Sequence, residues 1–305
     1  MFGVHFPIHG PYGYEAFLET TVLADKLGFD CLTVGDHFFL PSETYSNLGW
    51  DPDRPNKLDA WIVLTAAAVK TERIRLGTRV SPIPFYIPPR LAKMVATADI
   101  ISHGRTLLGV GAGWYKWEAI SYGVGWGSHR ERIEKMLEGL EIILRLWTQN
   151  RTTFKGKYYQ VSDAPFWPKP VQKPHPPIWF GGYSDAIVEA TVKYGEGLFP
   201  PVNMEMEKLE DIQRRLRKAA ERLGRADLPI IAPSISYPKG TGTESAERLR
   251  SVETLSERDF GLILLGFTVD YVPLKKIHVF LKRFTEEVMP SLKLIAFYFY
   301  RTYLP

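Results

Sequence analysis

An acidic residue and a histidine follow an apolar run near the start of the chain. Residues 31–34 predict a buried strand, and Asp36 and His37 come directly after it. An imidazole exchanges protons near neutral pH, which makes His37 a candidate general acid–base. Asp36 is a candidate either to position His37 or to contact a ligand. A polar strand end satisfied by neighbouring backbone explains the same pair without chemistry, so the sequence leaves both interpretations open.

A second candidate site combines glycines with a serine. Residues 181–184 follow the apolar run 178–180 directly and precede a helical segment at 185–194. Free backbone N–H groups, the positive end of a helix and a hydroxyl together bind anions such as phosphate. A plain tight turn between strand and helix is the structural alternative. The candidate phosphate-binding residues are Gly181, Gly182, Tyr183 and Ser184.

Small residues end two further predicted strands. The apolar runs 74–80 and 107–110 lead into the segments 81–82 and 111–113. Small residues let a flat ligand lie against backbone. The glycines at 109, 111 and 113 do not form a dinucleotide fingerprint, because Trp114 occupies the third glycine position and no helix begins at once. The candidate contacts of a flat ligand are Ser81, Gly111, Ala112 and Gly113.

Composition excludes several classes of protein. The 305 residues are 45% hydrophobic, and their net charge of +4 is dispersed, which does not indicate nucleic-acid binding. A single cysteine, Cys31, excludes an internal disulfide. We see no leader and no apolar run near the roughly 20 residues of a membrane helix, so we expect a cytoplasmic protein without a membrane partner. The histidine spacing predicts no metal site, and no serine elbow or Cys–His pair indicates covalent hydrolysis.

Apolar periodicity predicts eight strand–helix units, the last two strands lying at 230–235 and 262–265 with a helix at 244–255 between them. This alternation predicts one α/β domain over residues 1–293, a (β/α)8 TIM barrel with insertions in its βα connections at 37–57, 114–127 and 149–177. In such a barrel all strand ends meet at one mouth, which brings the candidate residues together. The apolar tail 294–305 is expected to pack on the barrel or on a partner chain. Aromatic residues in the mouth loops indicate a flat apolar ligand: Phe38, Phe39, Phe85, Tyr86, Trp114, Tyr115 and Trp117.

Taken together, these motifs resemble the bacterial-luciferase-like oxidoreductases, which are flavin or deazaflavin enzymes on a (β/α)8 barrel. The resemblance covers nearly all of residues 2–293 and is specific only as a set. It rests on VGDHF at 34–38, LGTRVSPIPFYIPPRLAKMVATADIIS at 76–102, GRTLLGVGAGW at 104–114, HRERIEKMLEGLEIILRLW at 129–147, FKGKYYQV at 154–161 and PKPVQKPHPPIWFGGYSD at 168–185.

The resemblance assigns roles to the candidate residues. It implies that His37 is the catalytic histidine and that Gly181 to Ser184 hold the cofactor phosphate. It also implies a cis peptide behind the cofactor ring, at Val80-Ser81 or Ser81-Pro82. The implied ring contacts are Asp36, Ser81, Gly111, Ala112 and Gly113.

Two branches of the family compete. One uses the deazaflavin coenzyme F420 and transfers a hydride, and the other uses reduced FMN and dioxygen to hydroxylate a substrate. Asp36 before His37 and the GVGAGW stretch favour the F420 branch, since FMN enzymes more often carry glutamate before that histidine. We therefore expect hydride transfer to or from a small apolar organic substrate, in a homodimer or higher homo-oligomer. A non-catalytic flavin-binding protein is the third interpretation.

Overall fold

A computed structural model describes residues 1–47, 49–236, 263–266 and 272–290. The strands in chain order are β1 (Phe2–His5), β2 (Cys31–Val34), β3 (Arg75–Thr78), β4 (Ser81–Pro82), β5 (Thr106–Gly111), β6 (Arg151–Lys155), β7 (Gln160–Pro165), β8 (Ile178–Gly181), β9 (Gly197–Phe199), β10 (Ile230–Ile231), β11 (Ser234–Ser236) and β12 (Ile263–Gly266). The helices are α1 (Tyr14–Leu27), α2 (Ser42–Asn47), α3 (Ala60–Ala68), α4 (Pro88–Ile101), α5 (Lys116–Ser121), α6 (His129–Thr148), α7 (Asp185–Tyr194), α8 (Met206–Leu223) and α9 (Leu274–Arg283).

The main sheet closes on itself. Its order is β10-β9-β8-β5-β3-β2-β1-β12-β11, and the pairs within it are parallel. β10 and β11 are two halves of one strand, one pairing with β9 and the other with β12, so they join the two edges. β4 continues the third strand beside β5. Eight strand positions result, which confirms the predicted (β/α)8 barrel.

Buried strands and amphipathic helices make the core. β1 and β2 are buried at every position, as strands covered on both faces are. Glycine allows the third and fourth barrel strands to approach closely, because a Cβ on Gly109 would lie 1.9 Å from the Thr78 carbonyl oxygen. α6 begins at a capping box in which Ser128 Oγ accepts from the Glu131 N–H at 3.2 Å. Its buried stripe includes Ile133, Met136, Leu140 and Ile143, as the sequence predicts.

Some details differ from the prediction. The predicted strand 230–235 is interrupted at Ala232 and Pro233, since proline has no N–H to donate to a neighbouring strand. The loops 37–57 and 114–127 contain the short helices α2 and α5, which the sequence interpretation did not include. The predicted helix 244–255 and the tail 294–305 lie outside the described residues. Across the described ranges, no helix is long and apolar enough to cross a membrane.

Candidate active site

The third barrel strand ends in an irregular backbone. A cis peptide joins Arg79 and Val80, one residue before the earlier of the two predicted bonds, so that prediction is wrong. Ser81 and Pro82 instead pair in regular parallel register with Val110 and Gly111 of β5. The irregularity therefore falls before this paired segment.

The Val80 side chain covers two glycines of the neighbouring strands. A Cβ on Gly111 would lie 2.5 Å from Val80 Cγ2, and one on Gly181 would lie 2.9 Å from the same atom. These glycines make room for Val80, whose side chain occupies the space that a Cβ on either glycine would take. Gly113 has a φ of 81°, which favours glycine for conformational reasons as well.

Asp36 is buried in a network of hydroxyl groups. Its Oδ2 accepts from Ser81 Oγ at 2.5 Å and from the Tyr86 hydroxyl at 2.7 Å. Trp61 Nε1 donates to the same Ser81 oxygen at 3.1 Å. Burial raises the pKa of Asp36, while the two hydroxyl donors act in the opposite direction. The structure thus joins Asp36 to Ser81 and Tyr86, a contact that the sequence did not predict.

His37 is held by Glu118, not by Asp36. His37 Nδ1 lies 2.8 Å from Glu118 Oε2, and the Phe38 N–H donates to Glu118 Oε1 at 2.5 Å. Trp114 Nε1 donates to His37 Nε2 at 3.3 Å. Because the indole is a donor only, His37 Nε2 is the acceptor nitrogen and Nδ1 carries the proton towards Glu118. Asp36 was a candidate either to position His37 or to contact a ligand. In the structure, Glu118 and not Asp36 positions His37.

Glu118 is a functional candidate that the sequence interpretation missed. It lies in α5, within the predicted insertion 114–127, and only 1% of its side chain is exposed. A carboxylate among aromatic residues requires donors when it is buried. That requirement, applied to a glutamate between Trp117 and Ala119, is the signal that could have identified it.

The aromatic residues of the mouth loops pack on one another, and Trp114 meets the His37 ring edge-on at 5.7 Å. Phe38 stacks on Tyr122 with 4.5 Å between ring centroids, and Phe39 meets Tyr115 edge-on at 5.6 Å. Trp114 and Trp117 are 62% and 61% exposed, which leaves an apolar surface at the mouth.

A cavity of about 900 Å³ opens beside Trp114. Its lining includes seven of the residues predicted to contact a cofactor, namely Gly111, Ala112, Gly113, Gly181, Gly182, Tyr183 and Ser184. It also includes residues that the sequence interpretation did not single out as ligand contacts, among them Arg79, His129, Arg132 and Phe199. Asp36, His37 and Ser81 lie outside this lining, and the indole of Trp114 links His37 to it. Direct contact of Asp36 and Ser81 with a ring stays a prediction.

One end of the cavity is suited to an anion. Ser184 precedes α7, and its buried Oγ has no hydrogen-bond partner within the described part of the chain. The first-turn N–H groups of a helix lack intrahelical partners and form its positive end. Arg132 adds a buried Nε without a partner among the described residues. The Gly182 N–H, however, donates to the Phe199 carbonyl at 3.1 Å, so it already has a partner, and its role as a phosphate donor stays a prediction. These donors fit the phosphate of a flavin-type cofactor.

Two further titratable groups, Lys57 and His9, lie near the His37–Glu118 pair. Burial lowers the pKa of Lys57 to about 8, while Asp36 and Glu118 act in the opposite direction. Burial, followed by the charges of Lys57 and His37, lowers the pKa of His9 to about 3. Within the described ranges, no group of three His, Cys, Asp or Glu residues is placed to hold a metal ion.

A closed parallel barrel with a hydrogen-bonded histidine–glutamate pair beside a cavity at its strand ends is the architecture of a TIM-barrel enzyme. The chain belongs to the luciferase-like monooxygenase family, whose family model matches residues 1–256. This assignment confirms the resemblance seen in the sequence motifs.

The relatives and fold neighbours include proteins named as F420-dependent dehydrogenases and a protein named as a monooxygenase. An F420-dependent glucose-6-phosphate dehydrogenase of Microbacterium testaceum is 33% identical over 187 residues, which are 61% of this chain and 52% of the relative. The chain matches only about half to two thirds of the length of its curated relatives. Several solved structures share the fold, including the following two. The monooxygenase RslO1 from Streptomyces bottropensis has a TM-score of 0.80 at 24% identity, over 95% of this chain and 99% of that one. An F420-dependent secondary alcohol dehydrogenase in complex with an F420-acetone adduct has a TM-score of 0.79 at 22% identity, over 96% and 98%.

Proposed function

We propose that the chain is an oxidoreductase that binds coenzyme F420 in this cavity and transfers a hydride to or from a small apolar organic substrate. The observation that carries the proposal is the His37–Glu118 pair, connected through Trp114 to a cavity that has anion donors at one end. The relatives named as F420-dependent dehydrogenases support the choice of cofactor. Assembly as a homodimer or higher homo-oligomer and a cytoplasmic location stay predictions.

The residues present fit such a cofactor. Ser184 Oγ, the first turn of α7 and Arg132 Nε would hold its phosphate, and Val80 and Gly113 would lie against its ring. Bound there, the deazaflavin supplies a two-electron partner for a carbon–hydrogen bond of the substrate.

The chain's own residues then handle the proton. His37 Nε2 is an acceptor at the mouth, where a substrate hydroxyl would replace the exposed Trp114 indole as its donor. Glu118 accepts from Nδ1–H and so stabilises the imidazolium that forms when Nε2 takes a proton. In the reverse direction the imidazolium returns that proton to a carbonyl oxygen. The aromatic surface around His37 favours a substrate that is apolar elsewhere.

An FMN-dependent monooxygenase is the second candidate, favoured by the fold neighbour named as a monooxygenase. A flavin-binding protein without turnover is less well supported, because it would not need the buried Glu118 that orients His37.

Titration of the purified protein with F420 and with FMN separates these candidates. We expect F420 to bind more tightly, with Ser184→Asp as the binding-deficient control, and to be reduced anaerobically by a small apolar alcohol. Tighter FMN binding, with substrate-dependent consumption of dioxygen by the reduced flavin, would favour the monooxygenase. A protein that binds neither coenzyme would overturn the proposal.

A further inference from the structure

An arginine lies across the floor of the cavity. Arg79 follows β3, and its Nη2 donates to the carbonyl of Pro200, directly after β9, at 2.8 Å. In the sheet, β5 and β8 separate β3 from β9, so this side chain passes inside the barrel beneath two strand ends. Its guanidinium lies 5.8 Å from the centre of the Phe199 ring. Arg79 also lines the cavity, and its buried Nε has no partner among the described residues.

The charge of Arg79 is unbalanced within the described part of the chain. No described carboxylate lies within ion-pair distance of it, whereas the neighbouring cation Lys57 interacts with Asp36 and Glu118. A charge withdrawn from water without a partner is costly, and an arginine does not lose its proton to escape that cost. Burial lowers the pKa of Arg79 only to about 10, so it stays charged at neutral pH. The structure therefore leaves a cation and a free N–H for a ligand to satisfy.

The position of Arg79 in the cavity indicates which part of a bound ligand it would contact. The phosphate end of the cavity lies at Ser184, where α7 begins outside the barrel and provides its own donors. Arg79 instead lies inside the barrel, next to Val80, the side chain that covers Gly111 and Gly181. This is the part of the cavity where a flat ring would lie.

On the proposed function above, we infer that Arg79 contacts the pyrimidine edge of the cofactor ring and stabilises the negative charge of its reduced form. Reduction of a neutral flavin-type ring by a hydride adds two electrons and one proton. The product is therefore an anion, with the charge in the pyrimidine portion, unless a second proton is taken up. A fixed cation at that edge favours the reduced state over the oxidised state.

The expected effect is a difference between redox states. Arg79→Gln should weaken binding of the reduced coenzyme by about tenfold or more beyond any loss for the oxidised coenzyme, which corresponds to a potential about 30 mV lower for a two-electron couple. Arg79→Lys keeps the charge and should retain most of the preference. Lys155→Gln, which removes an exposed charge on β6, should leave the ratio unchanged.

The test is equilibrium titration of the four proteins with oxidised and reduced coenzyme, F420 or FMN, whichever the wild type binds. If Arg79→Gln leaves the ratio of the Kd of the oxidised coenzyme to that of the reduced coenzyme unchanged, the inference is overturned, whether or not both affinities fall. An unchanged ratio together with a raised KM for an anionic substrate would assign Arg79 to that substrate instead. Wild-type protein that binds neither coenzyme overturns the proposed function and this inference together. A preference for the reduced coenzyme that falls in Arg79→Gln but not in Lys155→Gln supports the inference.

A measurement on the wild type alone covers the case in which Arg79→Gln does not fold. The absorbance of the bound reduced coenzyme should remain that of the anion at least about one pH unit below the pH at which the free coenzyme becomes neutral, since one unit corresponds to a tenfold preference. Neutralisation of the bound ring at the same pH as the free ring, or at a higher pH, overturns the inference.

Discussion

Two groups of polar atoms at the barrel mouth differ in how completely they are satisfied. In the His37 cluster, formed by His37, Glu118 and Trp114, both imidazole nitrogens and both carboxylate oxygens have partners within 3.3 Å. The cavity donors are Ser184 Oγ, Arg132 Nε and Arg79 Nε, and they have none among the described residues. Buried polar atoms rarely remain without partners. The first group is therefore held in place by its own contacts, and the second is left open for the ligand that we propose.

The strongest way to break the His37 cluster is to remove the imidazole. His37→Ala should lower turnover by about 10²- to 10⁴-fold, the usual contribution of a positioned acid–base group. Cofactor affinity should change little, because the cavity donors remain. Steady-state turnover with saturating cofactor measures the first quantity and equilibrium titration the second.

Glu118→Gln tests whether the carboxylate sets the tautomer of His37. The amide offers one acceptor to two N–H donors, so it would present its own N–H to either Nδ1 or Phe38. If it donates to Nδ1, the imidazole proton moves to Nε2 and faces the Trp114 donor. Partners that orient a metal-bound histidine typically matter by about 10- to 100-fold, and the carboxylate of a catalytic triad matters by about 10⁴-fold. We therefore expect turnover to fall by at least about tenfold. The pH–rate profile of Glu118→Gln should shift as well, and an unaltered profile with full turnover would show that Glu118 is only structural.

The cavity donors are tested by charge. Ser184→Asp should weaken binding of a phosphate-bearing cofactor by at least about tenfold, since two like charges a few Å apart repel by more than the 1.4 kcal/mol that this factor represents. Ser184→Ala, which loses only a hydroxyl, is the matched control and should have a smaller effect. Aspartate is a favourable residue before a helix, so thermal stability should not fall. Unchanged affinity in Ser184→Asp would remove Ser184 from the phosphate site.

His9 lies close enough to Lys57 and His37 for their charges to act on it, and neither of its ring nitrogens has a partner among the described residues. Its folded-state pKa of about 3 lies below the ordinary 6.5, so between these pH values the unfolded chain binds a proton that the folded chain does not. The free energy of unfolding should therefore fall as the pH falls through this window, by up to about 1.4 kcal/mol per pH unit for one group.

His9→Phe keeps an aromatic ring beside Tyr45, whose ring lies 6.2 Å from that of His9, and removes the titration. Denaturant unfolding at several pH values should show a shallower acid dependence in this variant. Buried His5, whose pKa burial also lowers, should keep the remaining slope above zero. Parallel curves for wild type and variant would contradict this account of His9.

The sequence predicted what depends on local patterns. Periodic apolar residues indicated the barrel, and the strand ends carrying Gly111 to Gly113 and Gly181 to Ser184 indicated the cavity lining. It did not predict contacts that depend on the closed barrel. His37 and Glu118 are separated by 81 positions, and Arg79 reaches a carbonyl 121 positions away. No local spacing encodes such pairs. Gly111 illustrates the same limit, because the sequence showed a missing side chain and the structure shows Val80 filling the space.

The most direct test of the difference between the two groups is a crossed measurement on His37→Ala and Ser184→Asp. For each variant, equilibrium titration gives the Kd of the cofactor, and stopped-flow mixing with substrate gives the rate of cofactor reduction at saturation. We predict that His37→Ala lowers the saturated rate while its Kd stays near that of the wild type, and that Ser184→Asp raises the Kd while its saturated rate survives. A normal saturated rate in His37→Ala, with its loss confined to cofactor binding, would contradict the account.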